Sequence, residues 1–162
     1  MVKLNLQNNI TTTQELRAVI MDMRKYAKWY SQTRIKHQVV GAQEVEPYQM
    51  SPHALEILKQ AAGGQPVSQP LLDDILTTLT KLEGSAPKVT ITLAALPSNK
   101  LKQTLGNWFR EHTDPETLVD FKFNATILGG MVVQYKSRVY DWSFRSKIVD
   151  ARSKFPEILR HV

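Results

Sequence analysis

Apolar residues recur every three or four positions through the first half of the chain and every second position through much of the rest. Leu16, Ile20, Met23, Ala27 and Tyr30, with Val19 and Tyr26 beside them, make one stripe along a helix of about five turns. Thr12 and Glu15 have the Thr-x-x-Glu spacing of a capping box, in which a hydroxyl and a carboxylate each satisfy an amide left unpaired at a helix start. The helix is therefore expected over residues 13–37. Residues 40–50 hold Gly41, Pro47 and no period, and read as a loop. Ser51-Pro52 restarts a helix, with serine as cap and proline where its missing amide costs nothing. Leu55, Leu58 and Ala62 line one side, and Gly63-Gly64 ends it by adopting left-handed backbone. Ser68 and Pro70 open a third helix carrying Leu72, Ile75, Leu76, Leu79 and Leu82, with its end expected at Gly84.

At Pro87 the period changes to two. Val89, Ile91 and Leu93 alternate with threonines over residues 88–95, as in a strand with one buried face. Pro97-Ser98 starts a helix with Leu101, Leu105, Trp108 and Phe109, closed by Asp114-Pro115. Val119, Phe121, Phe123, Ala125 and Ile127 alternate again, which predicts one long strand from Leu118 to Leu128. Residues 131–136 and 138–142 form a hairpin about Lys136-Ser137, and Phe144, Ile148, Ala151 and Phe155 give a last helix that Pro156 kinks or ends. The expected fold class is α+β: an N-terminal helical bundle over residues 1–86, then a small β-α-β-β-β-α domain over residues 87–162.

Composition narrows the function. Of the 162 residues, 42% are hydrophobic and 22% charged, the balance of a folded chain with a core. The absence of cysteine excludes disulfides, thiolate nucleophiles and cysteine zinc sites, and suits a reducing compartment. No apolar run approaches the ~20 residues of a spanning helix. Residues 1–15 carry one lysine and no arginine, unlike a secretory signal or transit peptide. The expected location is cytoplasmic, with membrane association through a partner and no direct insertion. A net charge of +6 favours an acidic partner without choosing its kind.

Candidate chemistry is sparse. His37, His53, His112 and His161 stand in four contexts, none at metal-binding spacing, and each reads as an exposed helix residue. Asp73-Asp74 read as first-turn residues favoured by the helix dipole. Gly63-Gly64 lacks the following Gly-Lys-Ser/Thr of a phosphate loop. No catalytic, cofactor-binding or metal-binding residue is assigned, and no cofactor is expected. Arg24, Lys25, Lys28, Arg34 and Lys36 interleave with Tyr26, Trp29 and Tyr30, as in some single-strand nucleic-acid binders. With modest charge and no accompanying motif, the preferred reading places the tyrosines in the apolar stripe and the cations on its solvated back. A small basic nucleic-acid-binding module remains the alternative from a different class.

Residues 124–148 read NATILGGMVVQYKSRVYDWSFRSKI: an aliphatic pair running into Gly129-Gly130, a strand, a turn, a second strand, then Asp141-x-Ser143-x-Arg145 opening an amphipathic helix. This stretch resembles the C-terminal signature of the F-type ATP synthase delta subunit, called the oligomycin-sensitivity-conferring protein in mitochondria. That family carries Ile-Gly-Gly, a hairpin and Asp-Gly-Ser-Val-Arg. The strand through Val89 to Leu93, Leu-Pro-Ser at 96–98 and the helix through Phe109 fall in the same order, so the likeness covers residues 87–152. Trp142 and Phe144 stand where the family has Gly and Val, and Lys136-Ser137 replaces its Gly-Asp turn. About 86 residues and three helices stand where the family has a six-helix bundle, although Arg24 to Lys28 is similar to its Arg-x-Tyr-Ala-Lys. The motif also resembles the end of the E subunit of vacuolar and archaeal ATPases. That subunit begins with a very long charged helix, which residues 40–70, rich in proline and glycine, cannot form.

The resemblance implies a stator subunit that performs no bond chemistry. Its N-terminal domain would hold N-terminal helices of alpha subunits on the catalytic head. Its C-terminal domain would hold the C-terminal helix of the stalk b subunits, so that the head resists rotor torque beside the inner face of a bacterial plasma membrane. Helix-in-groove recognition is implied at both ends. Candidate contacts are Tyr26, Trp29 and Tyr30 toward the head, and Tyr140, Trp142 and Phe144 toward the stalk. The motif residues Gly129, Gly130, Asp141, Ser143 and Arg145 have expected structural roles: the glycines allow a bend, Asp141 and Ser143 accept from helix-start amides, and Arg145 pairs with Asp141.

Overall fold

The structure, a computed structural model, describes residues 10–40 and 46–152. The chain divides after Ala86 into two compact units, Met1–Ala86 and Pro87–Val162. The first holds α1 (Thr13–Val40), α2 (Pro52–Ala62) and α3 (Gln69–Ser85). The capping box forms fully: Glu15 N donates to Thr12 Oγ1 at 3.1 Å, while Thr12 N and Thr11 N donate to Glu15 Oε2 at 3.1 and 2.8 Å. α1 runs past residue 37 to Val40, because nothing that breaks a helix occurs before Gly41. Leu16, Val19, Ile20, Met23 and Ala27 of α1 are buried with Ala54, Ile57 and Leu58 of α2 and Leu72, Ile75 and Leu79 of α3. Each fully buried Leu, Ile or Met stabilises the unit by roughly 1.5–3 kcal/mol before its ordering entropy is counted.

The helix ends follow local chemistry with two departures. Ser51 caps α2 through its hydroxyl, and Gly63 ends it at φ 54 with its amide on the Lys59 carbonyl. Gly84 does not stop α3. The helix continues to Ser85, and the Ala86 amide closes on the Leu82 carbonyl. Asp73 and Asp74 fall beyond the first turn because α3 begins at Gln69, and Asp73 accepts from the Gln69 side chain at 3.1 Å. An Arg17–Glu83 ion pair at 2.7 Å ties α1 to the end of α3.

The second unit contains β1 (Lys88–Leu93), α4 (Asn99–His112), β2 (Leu118–Phe123), a 3-10 turn (Ala125–Ile127), β3 (Met131–Tyr135), β4 (Arg138–Asp141) and α5 (Phe144–Ala151). The sheet order is β2-β1-β3-β4, with β1 and β2 parallel and the other two pairings antiparallel. Helix α4 is the crossover that a parallel pair requires. The register puts Val89 beside Val119 and Ile91 between Phe121 and Val133, and these side chains form a core with Phe109 of α4. The opposite face carries Thr90, Thr92, Asp120, Lys122 and Gln134 together with Val132 and the buried Leu118, so it is the more polar of the two faces, as the alternation predicts.

The long strand expected over residues 118–128 stops at Phe123. Its partner β1 ends at Leu93, whose carbonyl takes the Asn124 amide at 2.9 Å. The Asn124 side chain then accepts from the amide and hydroxyl of Thr126 at 3.0 and 2.7 Å, which opens the 3-10 turn. A side-chain cap outcompetes a strand that has no neighbour left to pair with. Among the described residues the last helix ends at Ala151, and Phe155, Pro156 and His161 lie outside them.

Candidate partner-binding site

The Gly-Gly and Asp-x-Ser segments are packed against one another. Trp142 N donates to the Met131 carbonyl at 2.9 Å and Phe144 N to the Gly129 carbonyl at 3.0 Å, so the chain leaving β4 is laced to the start of β3. A side chain on Gly130 (φ 74) would run into the Trp142 carbonyl oxygen, with the Ser143 Cα 3.2 Å away. One on Gly129 (φ 147) would meet the Phe144 ring at 2.6 Å. The glycines thus serve close backbone approach as well as the expected bend.

Asp141 and Ser143 form the start of α5. Asp141 Oδ1 accepts from Ser143 N at 2.8 Å, and the buried Ser143 hydroxyl accepts from Ser146 N at 3.2 Å. The side-chain and backbone hydrogen bonds of Ser143 hold the Asp141 carboxyl below its usual range. Slight desolvation opposes this, and the Arg145 charge helps. The expected Asp141–Arg145 ion pair does not form: no salt bridge joins the two, and Arg145 acts on the carboxylate only through its field. Once the aspartate is turned onto the Ser143 amide, its geometry is set by the backbone.

This frame carries an exposed apolar ridge. Tyr140 and Trp142 stack at 5.9 Å between ring centroids and are 41% and 54% exposed. Phe144 and Ile148, one turn apart on α5, are each 53% exposed, and no residue of α5 is buried. All three stalk-side candidates are therefore exposed, and two of them, Tyr140 and Trp142, lie against each other. Leu128 and Val149 are exposed too, and the periodicity did not single them out. The left-handed backbone of Leu128, just before two glycines, was the available signal.

In the helical unit the aromatics do internal work first. Tyr26 stacks on Trp29 at 5.6 Å and lies 6.3 Å from Tyr30, and both Tyr26 and Trp29 contact Tyr48. Tyr30 donates to the Val67 carbonyl at 2.7 Å. Asp22 accepts from the Tyr48 hydroxyl at 2.9 Å and from the Ser51 amide at 2.7 Å, holding the segment that leads into α2. Burial raises the Tyr26 phenol above its ordinary value, and Tyr30 adds to the shift. Tyr26, Trp29 and Tyr30 are each half-buried, so their outer edges remain available. Sequence periodicity missed Tyr48 and Asp22, since contacts across a loop leave no repeat. Arg24, Lys25, Lys28, Arg34 and Lys36 are all exposed, as the solvated back of the stripe. His37, His53 and His112 lie exposed on three different helices.

An exposed aromatic ridge on a frame fixed by backbone hydrogen bonds is the surface chemistry of protein recognition. The chain belongs to the ATP synthase delta (OSCP) subunit family, which it matches over residues 5–155. It is 30% identical over 82 residues to the ATP synthase subunit delta of Rickettsia bellii (strain OSU 85-389), a match covering 48% of this chain and 43% of that protein. It is 27% identical over 96 residues to the ATP synthase subunit delta of Rickettsia canadensis (strain McKiel), covering 57% of this chain and 50% of that protein. The chain thus spans about half the length of the curated relatives it matches.

Proposed function

We propose that this chain is a non-catalytic stator subunit of an F-type ATP synthase, binding the catalytic head through residues 1–86 and the peripheral stalk through residues 87–162. The observation that carries the reading is the family match from residue 5 to residue 155. The exposed ridge of Tyr140, Trp142 and Phe144 supports a stalk contact, because large apolar side chains left in water on a fixed backbone suit an amphipathic helix laid against them. On the head side, the half-exposed edges of Tyr26, Trp29 and Tyr30 face the N-terminal helices of alpha subunits. Two modest interfaces suffice for a tether, since binding at one raises the effective concentration at the other. No helix among the described residues is long and apolar enough to cross a membrane, and attachment at the inner membrane face runs through the synthase itself.

The test is capture of the soluble part of the stalk b subunit by the full chain. Trp142→Ala should weaken capture while leaving thermal unfolding close to wild type, because that side chain is 54% exposed. Undiminished capture would remove Trp142 from the stalk surface. Absence of the chain from intact synthase purified from its own cell would end the reading.

A further inference from the structure

We propose that α4 carries a self-association surface through which two copies of this chain pair, helix against helix and antiparallel. α4 has two apolar sides. One, with Gly106 and Phe109 buried, faces the core of its own unit. The other carries Leu101, Leu105, Trp108 and His112 at spacings of four, three and four, the seam spacing of paired helices. Leu101 is 42% and Trp108 49% exposed, Leu105 is half-buried and His112 lies in the open. The indole is held in place, stacked on the His112 ring at 4.4 Å and edge-on to Phe109 at 5.0 Å. A large side chain already fixed in water loses little freedom on being covered.

The charges beside this seam fit a second copy. Lys100 and Glu111 border it on the same flank, about three turns apart, both exposed and, among the described residues, without a salt bridge. Each stands at the end its own helix disfavours: Lys100 in the first turn, where the dipole favours anions, and Glu111 in the last, where it favours cations. An antiparallel copy reverses both relations. Two-fold symmetry sets the same flank of the two helices side by side, so that Lys100 of each copy meets Glu111 of the other and each charge lies beside the dipole end that favours it. Leu105, near the middle of the seam, falls close to the two-fold axis, with Leu101 against the Trp108 of the other copy. A parallel copy would set lysine against lysine. No residue of this surface is among the candidates for head or stalk binding.

Sedimentation equilibrium of the full chain at low salt, with thermal unfolding alongside, tests the pairing. One helix per copy makes an interface at the small end of the specific range, so the wild type should dimerise with a Kd of about 10–100 µM. Leu101→Lys alters a side chain already 42% exposed, and should melt near wild type and dimerise at least ~10-fold more weakly. Lys100→Glu and Glu111→Lys should each dimerise at least ~5-fold more weakly, because each sets two like-charged pairs in the contact. Mixed in equal amounts, these two variants should form a heterodimer of about wild-type affinity, and a chain carrying both changes should pair as the wild type does. If Leu101→Lys melts lower, the charge variants decide, since they alter only exposed groups. A mixture that fails to restore pairing would overturn the proposal, as would a wild type still monomeric at ~300 µM or a Leu101→Lys variant that dimerises unchanged. A monomeric wild type that captures the soluble part of the stalk b subunit through Leu101 would name another occupant and overturn it as well.

Discussion

Replacing Gly130 by alanine measures directly how tightly the two motif segments are pressed together. Its φ of 74 is unfavourable for any L side chain, and the new methyl would meet the carbonyl oxygen of Trp142 and the Cα of Ser143, both backbone atoms that cannot rotate aside. Gly63 and Gly64 provide the comparison: their φ values of 54 and 84 bracket that of Gly130, yet an added Cβ finds nothing within 4 Å at either. Gly63→Ala and Gly64→Ala should therefore cost only the conformational term, about 1 kcal/mol. Gly130→Ala adds displacement of packed backbone, a further ~2 kcal/mol, for about 3 kcal/mol in all. In a unit of this size that corresponds to a fall of about 15 °C in melting temperature. Denaturant unfolding followed by tryptophan fluorescence separates the units: Trp108 and Trp142 report on the second in a Trp29→Phe background, and Trp29 on the first when the other two are replaced by phenylalanine. If Gly130→Ala cost no more than Gly63→Ala, the close approach would be refuted and only the backbone conformation would explain the glycine.

Other outcomes follow from the same geometry. Thr12→Ala removes the acceptor of the Glu15 amide and should destabilise the helical unit by about 1 kcal/mol in urea unfolding. Burial opposes ionisation of Asp22, but the backbone and hydroxyl hydrogen bonds of Ser51, the Tyr48 hydroxyl and the Lys25 charge outweigh it and lower its pKa from about 3.8. A depressed carboxylate stabilises the fold above its unfolded pKa and loses that contribution as pH falls through the folded value. Stability should therefore decline below about pH 5, and Asp22→Asn should show a shallower decline across that range; an unchanged slope would contradict the assignment. Asp141 titrates with the same sign, so Asp141→Ala should lower the melting temperature of the second unit at neutral pH, and an unaltered melt would count against its cap on Ser143. Tyr30→Phe leaves the Val67 carbonyl without its donor and should cost about 1 kcal/mol by the same measurement.

The sequence by itself determined whatever depends on neighbours a few residues apart. The Thr12–Glu15 box, the Ser51, Ser98 and Ser143 caps, the Gly63 stop and the change from helical to alternating period at Pro87 are all local, and each appears where its residues place it. Tertiary structure decided what depends on residues far apart in the chain. The second strand stops at Phe123 because β1 has run out beside it, Asp141 accepts from the Ser143 amide with no salt bridge to Arg145, and Gly130 is required by the approach of Trp142. Tyr48 joins Tyr26 and Trp29 across a loop, and Leu128 is left in the open beside α5. Periodicity reports which side of an element is apolar. Whether that side meets the chain's own core depends on which elements the fold brings against it, and among the described residues no residue of α5 is buried.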